Sequence, residues 1–496
     1  MNRPLAIIPC FNEADILPAV LKHLRAQGIE TFVVDNMSTD RSGRIAIELA
    51  DRCITWKSPI HPDLYDWTGM LKFIAGLARR AIENGPRWIM LHDADEIRRA
   101  PAQYPGATLA EAFAIAEQGG WNAVQFHAMT FFPVDEDYAG DPEAHFQYHD
   151  LTHIDRRTAH IKAWLQGDEI VDLHTLGGHK AIFTGMKLCP VPFVLKHYPI
   201  RSTEQGRRKI YQERLPRFNR EERAQNWHVQ YRPYESAPPE NAKFIRHAHT
   251  LTRLQPDCTI LTLTRFPEIF LQFANSVEIW EPLRRRIVVT SGGATVERPG
   301  WESITGIEPF NFARNVNLGL DRIPTGNVLL VNDDVELTQP VIQVLQQILD
   351  DPRAGIITPQ IRGGVGNPQV AVRDANFNYA WPYWETTEAA IPFICVLLRR
   401  ELLADLGPLA ETFEGYGGED EEYNLRARSR GWKLAIARGA VARHGFGGSR
   451  SSSSFHRVMT PGEQHRSMER NRALARGQGY HPGENGPGPG ESGPSR

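Results

Sequence analysis

The chain lacks the features that mark several large protein classes. Among its 496 residues only five are cysteine, Cys10, Cys53, Cys189, Cys258 and Cys395. They are odd in number, scattered, and show none of the CxxC spacing of a zinc site, which speaks against a disulfide framework or structural zinc and for reduced core residues. No apolar run approaches the length of a membrane span, and Met1-Asn2-Arg3-Pro4 passes into a strand-like segment without the apolar stretch of a signal peptide. A cytoplasmic protein is expected, with peripheral contact at the inner face of the membrane left open. Positive charge is not in excess either. The formal net charge is -3, which argues against a nucleic-acid partner held by a broad basic surface. Basic residues gather only locally, from Arg201 to Arg217, where they suit a phosphate. A nucleotidyltransferase finds little support, because no Gly-rich phosphate loop stands near the N-terminus.

Two short acidic clusters stand far apart in matching contexts. One is Trp88-Ile89-Met90-Leu91-His92-Asp93-Ala94-Asp95-Glu96, the other Val328-Leu329-Leu330-Val331-Asn332-Asp333-Asp334-Val335-Glu336. Each follows a short apolar run with Gly85 or Gly326 just before it, so each reads as carboxylates at the end of a buried strand. Carboxylates so close repel one another, and a divalent metal carrying a phosphorylated substrate is a common remedy. An acidic loop that merely follows a strand explains one such cluster better than two.

Around the clusters the element types alternate. Strands are expected at Leu5 to Pro9, Thr31 to Asp35, Arg52 to Thr55 and Trp88 to Leu91, with helices at Asp15 to Ala26, Ser42 to Ala50 and Asp66 to Glu83. Repeated β-α-β of this kind implies a parallel sheet covered by helices, with ligands beyond the carboxyl ends of the strands. Residues 121 to 223 are less regular. A Pro-rich stretch from Tyr231 to Glu240 marks a crossing, after which the rhythm restarts: strand Cys258 to Thr262, helix Pro267 to Val277, strand Arg286 to Thr290, helix Asn311 to Leu320 and strand Asn327 to Val331. The expected organisation is an N-terminal domain at 1–225, a linker at 226–255, a C-terminal domain at 256–460 and a polar tail at 461–496, disordered after about Gly477. An internal duplication of fold at low sequence identity underlies the two clusters.

Ile7-Ile8-Pro9-Cys10-Phe11-Asn12-Glu13, Val33-Val34-Asp35-Asn36-Met37-Ser38-Thr39-Asp40 and Asp93-Ala94-Asp95 resemble, in order and spacing, the opening of a family 2 glycosyltransferase of the GT-A fold. The resemblance implies an α/β chain of two GT-A domains, Rossmann-like and mostly parallel in their central sheets. It also implies a nucleotide-sugar donor. Asp35 takes the nucleobase-contacting role, Asn12, Glu13 and Asp93 lie on the donor side, and Asp93 and Asp95 hold a divalent metal, Mn2+ or Mg2+. Such a metal neutralises the charge that develops on a diphosphate leaving group. Lys196-His197-Tyr198-Pro199-Ile200-Arg201-Ser202 and Gly177-Gly178-His179-Lys180 resemble later segments of relatives. On that likeness His197 is a candidate ligand, and Arg201, Arg208 and Lys209 are candidate phosphate contacts; a hydrogen-bonded structural histidine competes for His197. No Glu-Asp pair stands where a catalytic base belongs in this half, and Asp168, Glu169 and Asp172 are its alternatives. Glu96 suits acceptor, water or plain solvation.

In the second half, Thr262 to Glu268 resembles a variant first-strand turn, and Asn311-Phe312-Ala313-Arg314-Asn315-Val316-Asn317-Leu318-Gly319 resembles the helix before the metal motif of rhamnosyl-type enzymes. Asn315 and Asp333 are thereby donor-side candidates. Asn332-Asp333-Asp334 stands at the Asp-X-Asp position with Asn in first place, leaving Asp334 as the firmer metal ligand. Phe413-Glu414-Gly415-Tyr416-Gly417-Gly418-Glu419-Asp420 resembles the Gly-rich loop that presents a Glu-Asp pair at a helix start, where free N–H groups favour an anion. Asp420 is then the general base, with Glu419 its neighbour or substitute; an acidic helix cap is the competing account. His444-Gly445-Phe446-Gly447-Gly448-Ser449 resembles the late His segment and makes His444 a further metal candidate. The leading expectation is sugar transfer with inversion from a nucleotide sugar to a glycan, lipid-linked or small-molecule acceptor, by both halves. The alternative keeps one half catalytic and makes the other an acceptor-binding or assembly module.

Overall fold

The computed structural model describes residues 2–61, 64–82, 85–150, 160–224, 231–236, 238–248, 251–254, 257–363, 384–415, 417–446 and 459–477. The Gly/Pro tail after Gly477, Tyr416, Gly447-Gly448-Ser449 and parts of the 226–255 crossing lie outside the described residues. The chain divides into two compact units, Met1–Leu254 and Gln255–Arg496.

In the first unit the strands are β1 (Leu5–Cys10), β2 (Glu30–Asp35), β3 (Arg52–Thr55), β4 (Arg87–Leu91), β5 (Glu96–Arg99), β6 (Ala123–Thr130), β7 (Tyr148–His149), β8 (His160–Gln166), β9 (Phe193–His197) and β10 (Thr252–Arg253). The main sheet runs β3-β2-β1-β4-β8-β6-β9-β5, and β7 pairs with β10 apart from it. Strands β1 to β4 are mutually parallel, whereas β8 runs antiparallel to both β4 and β6, and β5 antiparallel to β9. Crossover helices cover the parallel part. In the helix Leu17–Ala26 the spacing of Leu17, Val20, Leu21 and Leu24 turns one face inward. The helix Trp67–Arg80 starts where the Asp66 carboxylate accepts the Gly69 N–H. Alternate residues of β1 feed opposite cores: Ala6, Ile8 and Cys10 pack with Leu17 and Leu24, while Leu5 and Ile7 pack with Met70 and Ile74. The sheet is thus the middle of three layers.

The second unit repeats this plan. Its strands are β11 (Cys258–Thr264), β12 (Arg285–Thr290), β13 (Glu302–Thr305), β14 (Asn327–Val331), β15 (Val335–Leu337), β16 (Ala354–Arg362), β17 (Trp384–Thr387), β18 (Cys395–Leu398) and β19 (Lys433–His444). They order as β13-β12-β11-β14-β18-β16-β19-β15, with β17 on β19. Every strand of the first sheet therefore has a counterpart whose label is higher by ten. The strands and helices expected from periodicity are present, their ends shifted by a few residues. The short strands β5 and β15 that follow the acidic clusters, and the antiparallel insertions β8 and β18, carry too little periodicity to be read from sequence; they make both sheets mixed.

This plan places Cys10 and Asp35 at the carboxyl ends of adjacent parallel strands, the edge where ligands bind in open α/β sheets. Gly85 and Gly326 begin the turns into β4 and β14, both at positive φ. A side chain at Gly326 would meet the Asp257 carbonyl oxygen at 2.6 Å, whereas at Gly85 nothing lies within 4 Å. Gly326→Ala is therefore expected to lower stability by about 2–4 kcal/mol, and Gly85→Ala by only about 1–2 kcal/mol from backbone strain. Urea denaturation of the two variants checks the difference.

Candidate functional site

In the first unit the turn after β1 is held by Asn12, in the left-handed region at φ 56°, which Asn tolerates better than most residues. Its side-chain oxygen accepts the Thr39 N–H at 2.8 Å, and its amide donates to Glu213 Oε1 at 2.8 Å. Asn12 thus knits the β1 and β2 turns to the helical segment Arg208–Arg214. Asp35 ends β2, buried, with Ser38 N–H weakly on its carboxylate at 3.3 Å. Burial raises its pKa against that bond.

Beyond β4 lies an ion network in which every carboxylate has a cationic partner, although Asp93 Oδ1 is buried with no hydrogen-bond partner among the described residues. Arg201 is fully buried and reaches Glu13 at 2.5 Å and Asp15 at 2.6 Å. Lys209 bridges Glu13 at 2.9 Å and Asp95 at 2.8 Å. Lys162, on β8, bridges Asp93 at 2.6 Å and Glu96 at 3.3 Å, and Arg98 pairs with Glu96 at 2.5 Å. His197 Nε2 stands 3.6 Å from Asp95 Oδ1. Burial alone would raise the carboxyl pKa values, yet Lys209 and His197 hold Asp95 well below the usual range, and Lys162 and Arg98 bring Glu96 down to about 2. Burial lowers and Asp95 raises His197, the second effect winning. Arg208 is partly exposed, donating to the Asn12 carbonyl at 3.2 Å and lying 3.1 Å from Glu213.

Next to this network Pro9, Cys10, Phe11, Asn36, Tyr65, Trp67 and Arg214 line a pocket. Tyr65 and Trp67 are stacked at 6.0 Å and 7°, and the Arg214 guanidinium lies 4.3 Å from the Tyr65 ring centre. Arg214 Nε and Nη1 are buried with no hydrogen-bond partner among the described residues. A flat aromatic wall and an unsatisfied guanidinium suit a nucleobase and an anion. Asp168 and Glu169 lie exposed just after β8, whose last residue Gln166 faces Arg87 at the start of β4. They therefore sit at the opposite end of that strand from Asp93 and Asp95. Asp172 spends its carboxylate on the His174 and Thr175 N–H groups.

In the second unit Asp334 is buried and its Oδ1 lies 3.4 Å from His444 Nε2. No Lys or Arg among the described residues pairs with Asp334. The registers make the two Asp–His pairs equivalent: His197 faces Glu96 across β9 and β5, and His444 faces Val335 across β19 and β15. Asp333 accepts the Thr264 hydroxyl at 2.7 Å. Asn315 spends its amide on the turn after β13, accepting the Ile307 N–H at 2.7 Å and donating to Asn311 O at 3.1 Å.

Glu419 and Asp420 open the helix Glu419–Ser429, entered through Gly418 at φ 110°. Despite the helix N-terminus, both pKa values are raised: by burial and then Asp420 for Glu419, by burial and then Glu421 for Asp420. The Asp420 carboxyl also takes a hydrogen bond from the Phe393 backbone. The next residue, Ile394, accepts the Asn332 N–H at 2.9 Å, and Asn424 bonds Ile391 at 2.9 and 3.2 Å. The segment Ile391–Ile394 therefore couples the acid pair to the strand-end carboxylates. Behind the glycine loop, Asn471 of the helix Pro461–Gly477 donates to Glu414 O at 3.0 Å and Gly417 O at 2.5 Å. Lys162, Tyr65, Trp67, Phe393, Asn424 and Asn471 escaped the sequence reading, because lone residues far apart in sequence carry no pattern; Arg214 enters that reading only as part of the basic run from Arg201 to Arg217.

Residues 5–65 match the family model described as Glycosyl transferase family 2. The match covers the first three strands of the first unit, and it is that segment which is similar to the family. Three solved structures resemble the chain. One is GalNAc-T7 with UDP, GalNAc and Mn2+ (12% identity, TM-score 0.33, 45% of this chain and 47% of that one). The others are the catalytic domain of Drosophila beta1,4galactosyltransferase 7 with xylobiose (17%, 0.25, 36% and 64%) and S. aureus TarS 1-349 (13%, 0.30, 38% and 60%). The chain spans less than two thirds of each. A search of curated proteins finds no match. No helix among the described residues is long and apolar enough to cross a membrane.

The depressed carboxyl groups of the first unit carry a pH signature. Asp15, Asp95 and Glu96 bind protons less readily folded than unfolded. Their contribution is thus complete above the unfolded carboxyl range and is lost as pH falls through the folded values. Stability is expected to fall from below about pH 4.5 toward pH 2. Arg201→Met, which strands Asp15 and leaves Glu13 with Lys209 alone, should cost about 3–5 kcal/mol at pH 7. Denaturant titrations at stepped pH test both.

Proposed function

We propose that the chain is a metal-dependent, inverting glycosyltransferase whose second unit performs the transfer and whose first unit is a nucleotide-binding module. The observation that carries this reading is the placement of Asp420 and Glu419, poised with raised proton affinity, on a helix joined through the segment Ile391–Ile394 to Asn332, the neighbour of the strand-end Asp333 and Asp334. A carboxylate of raised pKa is a better proton acceptor at neutral pH than an ordinary one.

Asp334 and His444 have the donor types for a divalent cation, stand side by side at strand ends, and face no competing lysine or arginine among the described residues. Mn2+ or Mg2+ held there would neutralise charge on a diphosphate leaving group. The protein's own part is proton management and positioning. Asp420 accepts the proton of an acceptor hydroxyl as its oxygen bonds to the anomeric carbon. The bond from that carbon to the diphosphate oxygen breaks on the opposite face, which inverts the configuration. Asn424 and the Phe393 backbone fix the helix start and the carboxyl group. In the first unit, the Tyr65–Trp67 wall, Arg214 and Asp35 support nucleotide binding, while its candidate bases point elsewhere or are spent on turns. This favours a single catalytic unit over two. The acceptor class is a glycan, a lipid-linked saccharide or a small hydroxylated molecule.

Asp420→Asn is expected to lower turnover of the accepted sugar nucleotide by about 10²–10⁴-fold with little change in donor affinity. In the unmodified enzyme the rate should fall on the acid side with a midpoint above the usual aspartate range, and that limb should vanish in the variant. Full turnover by Asp420→Asn, measured as nucleoside diphosphate release, would sink the assignment.

A further inference from the structure

The two units meet the same electrostatic problem at equivalent positions with different groups. Met90 of β4 faces Ala163 of β8, so Lys162 is the next residue along β8 toward the strand's ligand end. In the second sheet Leu329 faces Leu397, and the next residue along β18 is Val396. With Asp95 and Asp334 in register beside His197 and His444, Lys162 and Val396 occupy one place in the common fold. Val396 is a buried hydrocarbon, and Lys162 is a buried ammonium already bound to Asp93 and Glu96. Lys209 adds a second ammonium on Asp95 and Glu13.

Glu13, Asp15, Asp93, Asp95 and Glu96 are thus matched by Arg98, Lys162, Arg201 and Lys209, one permanent positive charge short. A divalent cation on Asp93 and Asp95 would have to displace both ammonium groups or sit beside them against their repulsion. The residues of the first unit do not fit the metal that its Asp-X-Asp motif suggests. They do fit an anion. The ammonium and guanidinium groups offset all but one of the carboxylate charges, and Arg214 brings buried, unpartnered N–H groups to the pocket wall beside Tyr65 and Trp67.

We propose that the first unit binds a nucleoside diphosphate, free or as its sugar conjugate, without a divalent cation, and that the chain's cation site belongs to the second unit alone. The proposal rests on the nucleotide-binding reading of the first unit given above. Its test uses the full chain, with Mn2+ as the cation and UDP, GDP and dTDP as probes. Bound Mn2+ is counted by electron paramagnetic resonance and nucleotide binding is followed by calorimetry. The double variant Asp334→Asn, His444→Ala is expected to lose Mn2+ affinity by at least about tenfold. It should still bind one of the nucleotides equally well, within about twofold, in EDTA and in Mn2+. Arg214→Gln in that background should weaken nucleotide binding about tenfold or more with the fold intact by circular dichroism. Mn2+ retained by the double variant and lost on adding Asp95→Asn would overturn the proposal, as would nucleotide binding that appears only with Mn2+. If the double variant binds no nucleotide in either condition, the nucleotide reading fails and the proposal fails with it. If the unmodified chain binds nucleotide in EDTA and never binds Mn2+, the first-unit assignment stands and the second-unit metal site falls.

Discussion

The ion chain Asp15–Arg201–Glu13–Lys209–Asp95 is what the first unit's ligand edge depends on. Its members come from the turn after β1, the turn after β4, and the segment after β9. None of these groups is stable alone in an apolar interior; together each charge finds an opposite partner, and removal of one strands the rest. Arg201 also donates to the Tyr198 carbonyl at 2.9 Å, and the Tyr198 N–H donates to Asp95 O at 2.9 Å. Side-chain charges and backbone thus fix one geometry among three loops. Loops on the rim of a sheet are usually its least constrained parts. Here they are cross-braced beneath a pocket.

The second unit solves the same topology differently. Its buried Asp334 has only the His444 ring within ion-pair distance among the described residues, and β18 offers Val396 where β8 offers Lys162. A carboxylate with no ammonium or guanidinium partner among the described residues favours an external cation more than carboxylates that each already hold one. Matching positions of one fold thus carry different charge among the described residues, with Lys162 on the insertion strand of the first unit and Val396 on that of the second. Duplication supplies the scaffold, and charge placement decides what each copy can hold.

Much of the scaffold was legible in the sequence. Short continuous apolar runs flanked by amphipathic helices locate β1, β2, β4, β11, β12 and β14, because parallel strands buried on both faces leave a strong signal, whereas the mostly exposed β3 follows from its place in the alternation. The strand-end placement of Asp35, Asp95 and Asp334 follows from the same pattern. The roles of the basic residues did not follow. Arg201 and Lys209 look like phosphate contacts when only their local sequence is seen, but their carboxylate partners lie far away in the chain, at Glu13, Asp15 and Asp95. Asn315 similarly reads as a donor contact and is spent on a backbone turn. A sequence displays which groups carry charge; pairing decides which of them remain available, and pairing is a property of the fold.

The acid pair at Glu419 and Asp420 shows the same principle by competition between two physical terms. A helix N-terminus favours an anion by up to about 1 kcal/mol when exposed, so the motif alone suggests carboxylates of lowered pKa. Both are raised, because burial and the neighbouring negative charges outweigh the helix end. The two residues are partly buried, and Gly418 at φ 110° turns the chain so tightly beside them that a side chain there would strike Phe413 and Asn471 within 3.0 Å. Asn471, Ser467 and Arg470 of the last described helix donate to Glu414 O at 3.0, 3.0 and 2.5 Å. That helix is mostly polar, and these bonds fasten it to the glycine loop. The glycine loop and the helix therefore stabilise each other. The surroundings that raise the proton affinity of the acid pair are thus built on a backbone turn that glycine adopts most readily, held from behind by a polar helix.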